Sequence, residues 1–131
     1  MTGNSVALDT NQAVAILNDD PTSLRFYSAF SELAIPTPVL GELIYGALNS
    51  NKVAENLAAV DRLASRCRLL EIRKTTCTYY AQVRLALKQA GRPIPSNDVW
   101  IGAICVEHQI RLATADQHFT SIKALDLVTP P

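Results

Sequence analysis

Val6-Ala7-Leu8-Asp9-Thr10-Asn11 decides how the rest of the chain is read. Three apolar residues are too few for a buried helix and suit a central strand, while Asp, Thr and Asn all cap helix N-termini well. A strand that opens straight into a helix start is the βα turn of a parallel α/β sheet. Short apolar runs recur downstream at Leu33-Ala34-Ile35, Leu69-Leu70-Glu71-Ile72, Arg111-Leu112-Ala113-Thr114 and Leu127-Val128, the last as an edge strand.

Helical patterns fill the intervals. The first helix runs to about Leu17 and is ended by Asn18-Asp19-Asp20-Pro21. Residues 22–32 place Phe26 and Phe30 on one face. Val39 to Leu48 carries a stripe of Leu40, Leu43, Ile44 and Ala47, and residues 52–66 form another amphipathic helix. A long helix from Thr75 to Ala90 meets Gly91 as its stop. After the loop Arg92-Pro93-Ile94-Pro95, Ser96 or Asn97 caps a helix from Asp98 to about His108, and Gln117 to Ala124 is a short helix or turn. The expected fold is α/β, one domain over residues 1–131, with a five-stranded, mostly parallel central sheet flanked by helices on both faces.

With 131 residues, 48% of them hydrophobic, the chain can fill one core. The first five residues lack a basic n-region, which argues against a secretory signal. The longest strongly apolar run, about Val99 to Val106, is far short of a bilayer span. Cys67, Cys77 and Cys105 are odd in number, show no Cys-x-x-Cys spacing and fall in segments expected to be buried; they fit reduced thiols in a cytoplasmic protein. The net charge is zero, but it is unevenly spread: residues 62–92 hold eight basic side chains and only Glu71 as an acid, between acidic flanks. That block is either a solvated helical surface or one that holds a polyanion's phosphates.

Right-handed crossovers put every strand-to-helix turn at the carboxyl edge of such a sheet, where ligands bind. Asp9 follows the first strand, Glu42 lies just inside the helix after the second, and Asp116 follows the fourth. Asp98 opens a helix, and its place depends on how the 92–97 loop returns. Each acid alone could be a helix cap or dipole partner. Yet Glu42 lies between Leu40 and Leu43, and Asp98 precedes Val99, Trp100 and Ile101, with almost no Lys or Arg near either. Acids gathered in apolar surroundings need a counter-charge. A hard divalent cation with oxygen ligands supplies it, and such a metal points to phosphate chemistry. Thr10 and Thr114 are either orienting partners of these carboxylates or plain strand-end threonines. His118, two residues after Asp116, lies at the rim of the same edge; His108, late in its helix, suits the dipole as a cation. Trp100 fits core packing better than base stacking.

Strand-Asp-Thr-Asn, then Glu42-Leu43-Ile44-Tyr45-Gly46, then Asp98-Val99-Trp100-Ile101-Gly102-Ala103, then Thr114-Ala115-Asp116-Gln117-His118-Phe119 together resemble a PIN-domain nuclease, and most of all the VapC toxins of bacterial toxin–antitoxin pairs. Each motif alone is weak; the four in order span nearly the whole chain. The resemblance implies a PIN-like three-layer sandwich and a Mg²⁺- or Mn²⁺-dependent endoribonuclease acting on RNA, with tRNA and ribosomal RNA both open. It also implies a cognate antitoxin that occludes the site, and a homodimer. Carried over position by position, the metal-binding and catalytic residues are Asp9, Glu42, Asp98 and Asp116, with Asp116 or Glu42 candidates to accept the attacking water's proton. Gly102 departs from the alanine common in the family, and Ala115 from an Arg common before the Asp. For a dimer surface, the first 50 residues offer Phe26, Tyr27, Phe30, Leu43 and Tyr45. Two other classes compete: an Asp-based phosphoryl-transfer domain with Asp9 as nucleophile, against which stands Asn11 where a second acid is expected, and a catalytically silent PIN-like binding module.

Overall fold

The computed structural model describes residues 4–131; Met1 to Gly3, part of the N-terminal stretch considered above, lie outside them. β1 (Ser5–Leu8), β2 (Glu32–Pro36), β3 (Arg68–Leu70), β4 (Arg111–Ala113) and β5 (Leu127–Val128) form one sheet in the order β3-β2-β1-β4-β5. Every pairing is parallel: Ala7 stands opposite Ala34 on one side and Leu112 on the other. Central β1 is buried along its whole length, as a strand covered on both faces must be.

α1 (Thr10–Leu17) and α2 (Pro21–Tyr27) join β1 to β2, and α3 (Thr37–Leu48) and α4 (Val53–Ser65) join β2 to β3. α5 (Lys74–Gln89) and α6 (Ser96–His108) then carry the chain back past β2 and β1 to β4. α1 packs on α3 and α4, whereas α5 packs on α6. Reversing the direction of travel across the sheet with right-handed crossovers puts the two groups on opposite faces. The reversal falls between β1 and β4, whose following segments leave toward opposite sides, so a crevice opens at their carboxyl ends.

Several boundaries differ from the sequence reading. α2 stops at Tyr27, so Phe30 lies beyond the helix although its ring still meets Phe26 edge to face at 5.6 Å. The chain must turn there to enter β2. β3 ends at Leu70, opposite Pro36, a residue with no N–H to extend the ladder; Glu71 and Ile72 lie outside it. α6 starts at Ser96 directly from Pro95, whose carbonyl accepts from the Val99 N–H at 3.1 Å, so neither Ser96 nor Asn97 is the cap. On α3 the buried stripe is Val39, Leu43 and Ala47, and Ile44 faces outward. Tyr27 and Leu43 are buried within the fold, leaving Tyr45 and Leu48 as its most exposed large apolar side chains. Cys105 is buried, and burial pushes its thiol up to about 12, but Cys77 is exposed; all three cysteines are free. Among the described residues no helix is long and apolar enough to cross a membrane.

Gly91 closes α5 as expected. At φ +69° it adopts the left-handed conformation, and the N–H groups of Gly91 and Arg92 return to the Lys88 and Leu87 carbonyls at 3.0 and 2.9 Å. Pro93 and Pro95 stiffen the short connection that follows, and this connection aims the first turn of α6 at the crevice.

Candidate active site

Asp9 extends the β1 ladder by one bond, its N–H meeting the Ala113 carbonyl at 3.3 Å, and then caps α1. Its Oδ1 accepts from the Gln12 N–H at 3.0 Å and its Oδ2 from the Thr114 hydroxyl. The residue is only 5% exposed. Burial raises its pKa first of all, and the charges of Asp116 and Asp98 push the same way, against the Thr114 and Gln12 hydrogen bonds. One side chain therefore caps α1 and also feels the charges of two other acids.

Thr114 joins this group across the crevice. Its hydroxyl donates to Asp9 and accepts the Asp116 N–H at 3.0 Å, so one hydroxyl spaces the acid after β1 from the acid after β4. Asp116 in turn caps a 3-10 turn, Gln117–Ser121, accepting the His118 N–H on Oδ1 at 2.9 Å. Asp98, in the first turn of α6, makes no capping bond. Its Oδ2 instead lies 2.9 Å from His118 Nδ1, which is also 3.4 Å from Asp116 Oδ1. Asp98, Asp116 and His118 each offer a ligand atom within 4.8 Å of the others. Two carboxylates that close repel by about 3 kcal/mol at an effective dielectric of 20. Among the described residues no lysine or arginine pairs with Asp9, Asp98 or Asp116. The donor set of carboxylate oxygens with unused lone pairs fits a divalent cation.

Glu42 stands apart. It is exposed on α3 beside a groove of about 260 Å³ that Val14, Asn18 and Val60 help line. The expectation that apolar neighbours bury it fails, because Leu43 turns inward and Glu42, about 100° round the helix, turns to solvent. Asp98 and Asp116 act electrostatically on Asp9, and Glu42 is not among the charges that do. His118 is the residue the sequence reading left open; its signal was its spacing of two from Asp116.

Beside Asp98, the basic block divides. Arg68 and Arg73 are spent on Glu32 and Glu107. Arg84 and Lys88 of α5 instead line a groove of about 400 Å³ with Tyr80, Ile94, Ser96 and Val99, so its floor includes the first turn of α6. Tyr80 stacks on half-buried Trp100 with ring centroids 3.9 Å apart, and Arg84 Nη1 donates to the Tyr80 hydroxyl at 3.0 Å.

The PIN domain family model matches residues 6–125. The chain belongs to the PIN-domain family. It is 32% identical to Ribonuclease VapC2 of Rickettsia felis over 111 residues, covering 82% of this chain and 83% of that protein. It is 33% identical to the tRNA(fMet)-specific endonuclease VapC of Shigella flexneri over 96 residues, 72% of this chain and 73% of that one. The relatives thus place this PIN domain among the VapC ribonucleases. In three dimensions it is similar to VapBC2 from Rickettsia felis bound to a promoter DNA fragment, with TM-score 0.90, 27% identity and coverage of 97% of this chain and 99% of that one. DNA-bound VapBC from Salmonella typhimurium gives TM-score 0.86 at 26% identity, over 96% and 98% of the two chains.

Proposed function

We propose that this PIN domain, a single unit over residues 1–131, is a divalent-metal-dependent endoribonuclease, cytoplasmic, and the toxin of a toxin–antitoxin pair. The observation that carries the metal dependence is the meeting of Asp9, Asp98 and Asp116 at the β1/β4 crevice without a lysine or arginine partner among the described residues. Asp9, Asp98 and Asp116 hold Mg²⁺ or Mn²⁺, and Glu42 completes the set as an outer acid. Such an ion, when bound, would supply water activation and charge stabilisation at the scissile phosphate. Asp116, whose Oδ1 is already fixed by a backbone N–H, keeps its other oxygen to accept a proton from the attacking water. Thr114 holds Asp9 and Asp116 in register, so neither has to reorganise during the reaction. The Arg84–Lys88 groove takes the phosphates of the flanking strand.

Asp9 is a poor nucleophile for phosphoryl transfer: it is buried and both oxygens already accept hydrogen bonds. The solved VapBC complexes support a cognate antitoxin as partner. Tyr45 and Leu48, exposed on α3, offer apolar side chains to a homodimer. The substrate is an RNA, with tRNA or ribosomal RNA as its class.

The test is cleavage of single-stranded RNA with Mg²⁺, Mn²⁺ or EDTA, for the wild type and Asp98→Asn. Metal-dependent cleavage lost in the variant is expected. RNA binding without cleavage would establish a silent module instead, and phosphoryl labelling of Asp9 would establish the transfer reading. For the toxin role, expression in a bacterium is expected to arrest growth, and co-expression of the antitoxin to relieve it.

A further inference from the structure

We propose that His118 Nδ1 is itself a ligand of the metal, so that the site has a mixed nitrogen–oxygen donor set and prefers Mn²⁺ to Mg²⁺. The inference rests on the metal-site reading above and adds a residue and a selectivity to it.

The geometry carries it. Nδ1 lies 2.9 Å from Asp98 Oδ2 and 3.4 Å from Asp116 Oδ1. Adjacent ligands of an octahedral ion with bonds of about 2.1 Å are about 3 Å apart, and opposite ones about 4.2 Å. All three donor atoms fall within 4.8 Å of one another, so one ion can take them without movement of the backbone. The backbone that carries the ring is also held in place. The 3-10 turn ties the His118 N–H to Asp116, and the next side chain, Phe119, is anchored in the core at 1% exposure. The half-exposed imidazole therefore approaches the acids from a fixed backbone.

In the metal-free protein Nδ1 stands between the two carboxylates, and a proton on it would face the place a cation would fill. With the proton on Nε2 instead, the Nδ1 lone pair faces the same point. That swap has a consequence for ion choice. Mg²⁺ strongly favours oxygen ligands and retained water, whereas imidazole nitrogen favours first-row transition ions. A three-acid site alone would discriminate weakly between Mg²⁺ and Mn²⁺.

The experiment is calorimetric titration of metal-free protein with Mn²⁺ and with Mg²⁺, alongside electron spin-echo spectra of the Mn²⁺ form, for the wild type, His118→Ala and Asp98→Asn. In the wild type, Mn²⁺ is expected to bind about tenfold tighter than Mg²⁺, with ¹⁴N coupling to the bound ion. In His118→Ala the nitrogen coupling disappears and Mn²⁺ affinity falls about tenfold, while Mg²⁺ affinity changes less than about threefold. Asp98→Asn weakens both ions. Bound Mn²⁺ without ¹⁴N coupling in the wild type, or equal loss of both ions in His118→Ala, would overturn the proposal. RNA cleavage measured on the same samples separates the two readings. Metal-dependent cleavage without nitrogen coupling removes only His118, and nitrogen-coupled Mn²⁺ without cleavage removes only the nuclease. No metal binding at all removes both.

Discussion

The two ends of α6 each hold an acid, and the protein treats them in opposite ways. At the C-terminal end, where the helix dipole disfavours negative charge, Glu107 is clasped by Thr75, Thr76 and Arg73, and its side chain is only 5% exposed. At the N-terminal end, where the dipole favours an anion, Asp98 faces two further acids and pairs with His118. The same helix thus anchors one carboxylate internally and presents another for an external charge. Burial works against ionised Glu107, but its hydroxyl and guanidinium partners outweigh that and lower its pKa; around Asp9, burial and neighbouring acids win and the pKa rises. A filled hydrogen-bond shell surrounds the one acid, and a shared, unneutralised one surrounds the other.

The largest effect expected is loss of cleavage on Asp98→Asn, by about 100- to 1000-fold in kcat, with the melting temperature unchanged or raised; steady-state RNA hydrolysis beside thermal melts measures both. An Asp98→Asn protein that melts like a damaged fold would break the contrast. At the other end, Glu107→Ala is expected to cost about 2 kcal/mol in urea unfolding, because it strips partners from the fully buried Thr76, while cleavage per folded molecule stays unchanged.

The pH dependence sharpens the same contrast, because the two acids carry opposite signs. Glu107 has a lowered folded pKa, so its stabilisation is complete above the unfolded value near 4.5 and is lost as pH falls through the folded value. Asp9 has a raised folded pKa, so metal-free protein loses stability as pH rises from the unfolded value near 3.8 through the folded one. Asp9→Asn is expected to raise the metal-free melting temperature at pH 7, and saturating Mn²⁺ to cancel that advantage. Melting temperatures from pH 3 to 7, with and without metal, check both limbs; a lowered melting temperature in Asp9→Asn at neutral pH would refute the like-charge account.

The smallest effect concerns Gly102, midway along α6. A Cβ there would meet Ile122 Cδ1 at 2.5 Å, at the movable tip of a side chain. Moving that tip off its rotamer costs about 1 kcal/mol, much the same as the helix preference of Ala over Gly. Gly102→Ala is therefore expected to shift unfolding free energy by less than about 0.5 kcal/mol, as urea titration would show.

Much of this was legible in the primary structure, and its limits have physical causes. The five strands and their parallel sense follow from short apolar runs between helical patterns, and the position of Asp9 and Asp116 at one edge follows from crossover handedness. The resemblance to PIN nucleases rested on the same acids. Glu42 is exposed where burial was expected, because α3 is apolar nearly all round and its periodicity does not settle which way the helix faces. His108 was read as a cation at a helix end. Burial in fact outweighs the pull of Glu107 and lowers its pKa, and its Nε2 has no hydrogen-bond partner among the described residues. The Thr114 bridge and the reach of His118 depend on side-chain directions across the crevice, which no local pattern encodes.

The Gly91–Pro95 connection has a practical corollary. Because a left-handed glycine and two prolines set the heading of α6, the spacing of Asp98 from the β-strand acids works like a fixed calliper. Lengthening that link by a few glycines would leave a protein that still assembles its sheet yet carries Asp98 away from Asp116 and His118.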